Sequence, residues 1–161
     1  MEIIDYQARH QSAFKRLNVE WIEMHWQLEE ADHQSLDHPE EYIIAGGGHI
    51  FLALDDGEVV GTCALIRISD TDYELAKMSV DANARGNGIG AALGNAVIDK
   101  ALLERAEKLY LESNTILEPA IRLYRKLGFE EFAGEPSPYA RCNIQMVLDL
   151  NNVRAGGTDG G

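Results

Sequence analysis

Apolar residues recur along this chain with two periods, and the alternation between them predicts its elements. Glu2 to Tyr6 reads as a short strand. Phe14, Leu17 and Trp21 then fall at i, i+3, i+7, the spacing of a helix with one apolar face. Leu36 to Glu41 (LDHPEE) predicts the start of a second helix, with Pro39 near its first turn and acids beside it. Gly46, Gly47 and Gly48 end that helix. His49 to Leu54, the Asp55-Asp56-Gly57 turn and Glu58 to Ile68 read as a hairpin, and Tyr73 to Val80 as a further strand. Three strands joined by short turns should run antiparallel.

Period two gives way to the helical period after residues 84–93, ARGNGIGAAL. A helix follows from about Ile89 to Ala106, then a strand at Lys108 to Glu112. Strand, loop, helix and strand form a βαβ unit with a parallel pair. Pro119 starts another helix, and Gly128 stands where a helix-ending glycine belongs. Phe129 to Phe132 and Cys142 to Leu150 close the sheet around a Gly/Pro turn. The expected fold is therefore a mixed α/β sheet of six to seven strands, antiparallel at first and parallel in the middle, with about four flanking helices. Residues 1–150 read as one domain and 151–161, Gly-rich and polar, as a flexible tail.

Composition narrows the chemistry. The chain has 161 residues, 45% apolar and 25% charged, as an ordinary globular protein does. Its net charge of −13 argues against nucleic acid or an anionic membrane surface as partner, and favours a cationic acceptor. No apolar run approaches the roughly 20 residues of a membrane span, and the first residues do not read as a signal peptide. Cys63 and Cys142 form no CxxC pair, so reduced thiols in a cytoplasmic protein are expected.

Gly86, Gly88 and Gly90 can present backbone N–H groups to a ligand without Cβ atoms in the way. A helix beginning directly behind them adds unpaired donors and the positive end of its dipole, which together seat phosphate. The stretch also matches GxGxxA, a dinucleotide fingerprint, but the hairpins before it are foreign to that fold. No GK[ST] is present for a Walker loop. A ligand-free glycine turn is the bland alternative.

Arg85-Gly86-Asn87-Gly88-Ile89-Gly90 resembles the R/Q-x-x-G-x-G/A signature of the GNAT acyl-CoA N-acyltransferases. YELAKMSV before it is similar to that family's fourth strand, and LEPAIRLYRKLGF at 117–129 to its A-x-x-L-Y-x-K-x-G-F segment. The order of elements matches across residues 2–150. This resemblance implies that acetyl-CoA is the co-substrate and that its pyrophosphate lies on the N–H groups of Arg85, Gly86, Asn87, Gly88, Ile89 and Gly90, with Ala91 and Ala92 in the first turn. It implies that Met78 and Val80 offer backbone groups to the pantetheine and acetyl carbonyl, and that Asn114 touches the cofactor nearby. Tyr124 matches the tyrosine that gives a hydrogen bond or proton to the departing thiolate. Its plain alternative is core packing, since Ala120, Leu123, Tyr124 and Leu127 share a helical face.

Glu74, on the strand beside the acetyl group, is the candidate base that takes the proton of an ammonium acceptor. An ordered water is the alternative. The resemblance implies an acceptor site with Trp26 on one wall and Tyr139, Arg141 and Asn143 opposite it, which makes these four the acceptor-contact candidates. The acids Glu29, Glu30, Asp32 and Asp37 could steer an amine, but such a run is usually a solvated helix face. The five histidines show no metal-ligand spacing, and Cys63 lies inside a strand as a structural thiol. The expectation is direct acetyl transfer to a primary amine in a ternary complex, by a protein that, like many relatives, forms homodimers. A non-catalytic CoA-binding or interaction domain of the same fold is the alternative.

Overall fold

The computed structural model describes residues 1–158. Seven strands form one sheet: β1 (Glu2–Asp5), β2 (His49–Asp55), β3 (Glu58–Arg67), β4 (Asp72–Val80), β5 (Lys108–Ser113), β6 (Glu130–Phe132) and β7 (Ile144–Asp149). Their spatial order is β1-β2-β3-β4-β5-β7-β6. Every pairing is antiparallel except β4 with β5. The parallel pair is the one joined through a helix, as the crossover requires.

The sheet is covered on both faces because its strands alternate apolar residues to two cores. Ile50, Leu52 and Ala64 face one side, where Phe14, Leu17 and Ile22 of α1 (Gln11–Glu23) and Leu36 of α2 (Glu30–Asp37) are buried. Phe51, Ala53, Cys63 and Leu65 face the other, against Leu93, Val97 and Ala101 of α3 (Ile89–Leu103) and Tyr124 of α4 (Glu118–Leu127). Neighbours in sequence thus enter opposite cores, which is what a period of two does in a pleated strand.

Three segments differ from these expectations. The stretch from Leu36 to Glu41 closes a helix instead of opening one. Helix α2 begins after Glu29, whose side chain and that of Asp32 form a reciprocal capping box, and ends at Asp37. Pro39 then precedes a single π-helical turn, Glu40–Ile44. Proline and acids at a helix start look the same, in sequence, as proline just past a helix end. The segment from 151 carries a helix, α5 (Leu150–Thr158), where a flexible tail was expected. Arg154 anchors it by donating to the carbonyls of Ala106 at 2.8 Å and Leu102 at 3.2 Å. Residues 159–161 of that expectation lie outside the described residues. The third helix also stops at Leu103, short of the expected Ala106.

Gly48 joins the π turn to β2 at a place with no room for a side chain. A Cβ there would lie 2.6 Å from both the Ile43 and Leu65 carbonyl oxygens, backbone atoms that cannot step aside. Gly48→Ala should therefore lower stability by about 1–3 kcal/mol, the usual cost of overpacking. Gly46→Ala, whose Cβ meets only the Ile43 oxygen at 3.9 Å, should change it far less. Urea unfolding of the two variants beside the wild type checks the difference.

Candidate active site

Strands β4 and β5 part company halfway along. Their pairing runs from Asp72 with Lys108 to Glu74 with Tyr110 and stops there, although β4 continues to Val80 and β5 to Ser113. On its other edge β4 stays paired with β3, but with one extra residue. Ala64 opposes Ala76 and Thr62 opposes Ser79, so two residues of β4, Lys77 and Met78, face the single Cys63. Lys77 takes φ +54°, a left-handed value uncommon for lysine. Such a bulge bends and twists its strand. Past Glu74, the β5-facing edge of β4 has no strand partner, and its backbone groups are open to a ligand. Met78 and Val80 lie on this stretch.

Beyond β4, Asp81 caps a short 3₁₀ turn at Ala82–Ala84, its carboxylate accepting from the Asn83 N–H at 2.9 Å. Gly86 and Gly88 follow at φ +85° and +78°, a conformation that costs residues with a Cβ roughly 1–2 kcal/mol. No side chain caps α3, which begins directly after Gly88. The N–H groups of its first turn are left for a ligand, at the positive end of the helix dipole. These features line a groove of about 480 Å³ to which Met78, Val80, Arg85, Gly86, Gly88, Ile89, Gly90 and Ala91 all contribute. The donor set suits a pyrophosphate.

Asn87 and Ala92 are not part of that lining. The Asn87 side chain folds back to donate to the Ala84 carbonyl at 3.0 Å, and the Ala92 N–H is used within the helix, on the Gly88 carbonyl. The Ile89 side chain is buried in the core, so only its backbone is offered. Arg85 stays exposed at the mouth, its Nε donating to the Val80 carbonyl at 3.3 Å.

A second, smaller cavity of about 110 Å³ adjoins the groove, lined by Glu74 to Met78 of β4. Tyr124 and Met78 line both spaces. The Tyr124 hydroxyl makes no hydrogen bond among the described residues, yet no fully buried side-chain oxygen there lacks a partner. The oxygen must therefore reach into a cavity. Burial pushes its phenol well above the ordinary value, so the proton stays on at neutral pH. Cys63 lies in the core, where burial likewise raises its thiol, as befits a structural residue and not a nucleophile.

Glu74, Trp26, Asn114, Tyr139 and Arg141 line this smaller cavity. Burial, then the charge of Glu112, pushes the Glu74 carboxyl up to about 7, with Lys77 pulling the other way. Asn114 is spent as a brace, donating to the Arg141 carbonyl at 2.8 Å and accepting from the Ile116 N–H at 3.0 Å. Asn143 is outside the cavity. It ties the same loop together through the Thr115 N–H at 2.9 Å and hydroxyl at 3.1 Å.

The sequence reading passed over the charged wall of this cavity. Asp32, expected among solvated acids, is fully buried. It accepts two hydrogen bonds from the Arg141 guanidinium, at 2.8 and 2.7 Å, and a third from Lys77 Nζ at 3.2 Å. Burial alone would raise its carboxyl. Arg141, the Glu29 N–H and the Lys77 charge overrule that and hold it down at about 2. Lys77 also donates to the Tyr139 hydroxyl at 3.3 Å, and the Arg141 guanidinium stacks 4.4 Å from that ring. A lone lysine within the apolar run YELAKMSV was the available signal. Nothing in the acidic helix set Asp32 apart from Glu30 or Asp37.

The comparisons with known proteins agree with this geometry. The acetyltransferase (GNAT) family model matches residues 16–129. N-acetylaspartate synthetase of Rattus norvegicus is 38% identical over 123 residues, 75% of this chain but only 41% of the rat protein. The structure of a GNAT-family acetyltransferase from Staphylococcus aureus Mu50 superposes with a TM-score of 0.84 at 23% identity, covering 92% of this chain and 98% of the other. An acetyltransferase from Salmonella typhimurium, solved with acetyl-CoA, gives 0.74 at 20% identity over 93% of this chain and 94% of its own. The chain belongs to the acetyltransferase (GNAT) family.

Proposed function

We propose that this chain moves an acetyl group from acetyl-CoA directly to a primary amine, with both substrates bound at once. The observation that carries the reading is the position of Tyr124, at the junction of the phosphate-suited groove and the cavity that holds Glu74. The cofactor's pyrophosphate would rest on the loop and α3 N–H groups, and its pantetheine along the open edge of β4. That puts the thioester beside Tyr124. The acceptor would enter from the other cavity.

Glu74 takes a proton from the ammonium, freeing the nitrogen lone pair. The nitrogen attacks the thioester carbon, and a backbone N–H of β4 near Met78 or Val80 receives the developing oxyanion. The tetrahedral intermediate then collapses: the C–S bond breaks, the nitrogen gives up its second proton through solvent to the departing thiolate, and the products are an N-acetyl amide and CoA. Burial places the Tyr124 phenol far above a thiol of ordinary pKa ~8.5. Full proton transfer to the thiolate is therefore uphill, and a hydrogen bond to the departing sulfur is what the phenol supplies best. The rat relative's name specifies acetylated aspartate as its product, which makes aspartate the first acceptor to assay.

Three measurements test this reading. Glu74 must be ionised to act, so kcat/KM should climb with pH through about 7. Glu112, Lys77 and Tyr139 are the titratable groups that face it. Glu74→Gln should remove this limb and lower kcat by roughly 10²-fold or more, and an unchanged profile would unseat Glu74 as base. Tyr124→Phe should lower kcat by about tenfold or more while leaving the acetyl-CoA Kd near the wild-type value, since the change removes one hydrogen bond at the transition state. Equal turnover would return Tyr124 to a packing role. We also read the protein as cytoplasmic and as a homodimer along an outer strand, β1 or β6. Sedimentation velocity at micromolar concentration should show the dimer, and a single species of monomer mass would exclude it.

A further inference from the structure

Charged side chains of both signs line the smaller cavity. Two of them are Glu74 and Glu112. Glu112 is already engaged, accepting from the Ser137 hydroxyl at 2.9 Å and the Gln145 amide at 3.2 Å. Glu74 accepts no hydrogen bond among the described residues, so its carboxylate is the one left for an incoming ammonium. Two cations, Lys77 and Arg141, also line it and share the single buried carboxylate of Asp32, with side-chain exposures of 7%, 12% and 0%. Among the buried groups two positive charges thus stand against one negative. Glu29 approaches Arg141 at 3.6 Å from the rim, where it is a third exposed and screened by solvent.

The wall also has donors to spare. The Lys77 ammonium has three N–H groups and two acceptors, Asp32 Oδ1 and the Tyr139 hydroxyl. The Tyr139 oxygen receives from Lys77, so its own proton is available for a further acceptor. Burial and the Asp32 charge push that phenol up to about 12, which keeps the proton in place. Lys77 is held there by the left-handed bulge of β4, not by a flexible loop. A cation with an unused donor in a largely buried wall is costly unless an anion completes it.

Resting on the acetyl-transfer reading, we propose that the acceptor is a small amine that also carries a carboxylate, its ammonium facing Glu74 and its carboxylate bound by Lys77 Nζ and the Tyr139 hydroxyl. A zwitterion satisfies groups of both signs. A polyamine would set a second ammonium against Lys77, and a simple monoamine would leave the Lys77 donor unanswered. The acidic balance of the whole chain, which favours a cationic acceptor, acts from charges largely screened beyond about 10 Å of salt solution. Lys77 and Arg141 act at contact, and the local wall decides.

The test pairs acceptors that differ by one carboxylate: glycine with methylamine, β-alanine with ethylamine, 4-aminobutanoate with propylamine. Aspartate, glutamate and spermidine complete the panel. Thiol release is measured for each and compared per concentration of free amine. At least one carboxylate-bearing member should exceed its partner and spermidine by tenfold or more in kcat/KM. Lys77→Met should cut that preference by tenfold or more, with the acetyl-CoA Kd within twofold of wild type, and Lys77→Arg should keep most of it. Monoamines or spermidine matching every amino acid would overturn the carboxylate inference while leaving acetyl transfer standing. An undiminished preference in folded Lys77→Met would do the same for Lys77. Acetyl-CoA binding with no CoA release from any amine would remove the acetyl-transfer reading, and this inference with it. If Lys77→Met does not fold, the wild-type pairs alone decide.

Discussion

An interior strand with one open edge is the constraint on which the rest of this molecule depends. Backbone N–H and C=O groups inside a sheet are paired almost without exception, and β4 breaks that habit over the stretch beyond Glu74. The break is enforced from the opposite edge, where the extra residue at Lys77–Met78 bends β4 while β3 keeps hold of it. One irregularity therefore opens a slot beside Met78 and Val80, directs the chain into the glycine loop, and turns the Lys77 side chain toward Asp32. The groove and the smaller cavity adjoin along the same bent strand.

Asp32 holds the acceptor side of that bend. It joins α2 to β4 through Lys77 and to the 139–141 loop through Arg141, residues 45 and 109 positions away in the chain. Burying three charges is expensive, and such a group contributes little net stability compared with apolar residues of the same volume. Removing one member is another matter, costing roughly 3–5 kcal/mol because the others are left without a partner. A cluster with those properties is a poor way to stabilise a core and a good way to fix where its members stand. Here it fixes two cations at the edge of a cavity.

The backbone of this fold was largely legible in the chain. The Asp55-Asp56-Gly57 turn between two apolar runs placed β2 and β3 as a hairpin. The glycine run placed the loop, and LYRKLGF placed Tyr124. The features that went unread share a physical reason: they depend on contacts between distant segments. A bulge leaves no mark in composition, since YELAKMSV is as good a straight strand as a bent one. Asp32 follows Glu29 and Glu30 in what looks like a solvated helix face, and only its contacts with Lys77 and Arg141, from far along the chain, set it apart. Asn87 and Ala92 sit within the glycine motif but fall outside the groove because one side chain and one N–H are consumed locally.

The glycines themselves carry two separate duties, and this explains why the motif runs on into the helix. Gly86 and Gly88 need glycine for their left-handed backbone and meet nothing nearby. Gly90 and Gly94 have ordinary helical backbone but face α4, where a Cβ would lie 3.2 Å from the Leu123 side chain and 2.7 Å from that of Leu127. The first pair shapes the phosphate seat. The second lets α4 approach α3 closely, and Tyr124, between Leu123 and Leu127, is carried in with it. The packing of α4 on α3 thus sets where the Tyr124 phenol stands relative to the glycine loop.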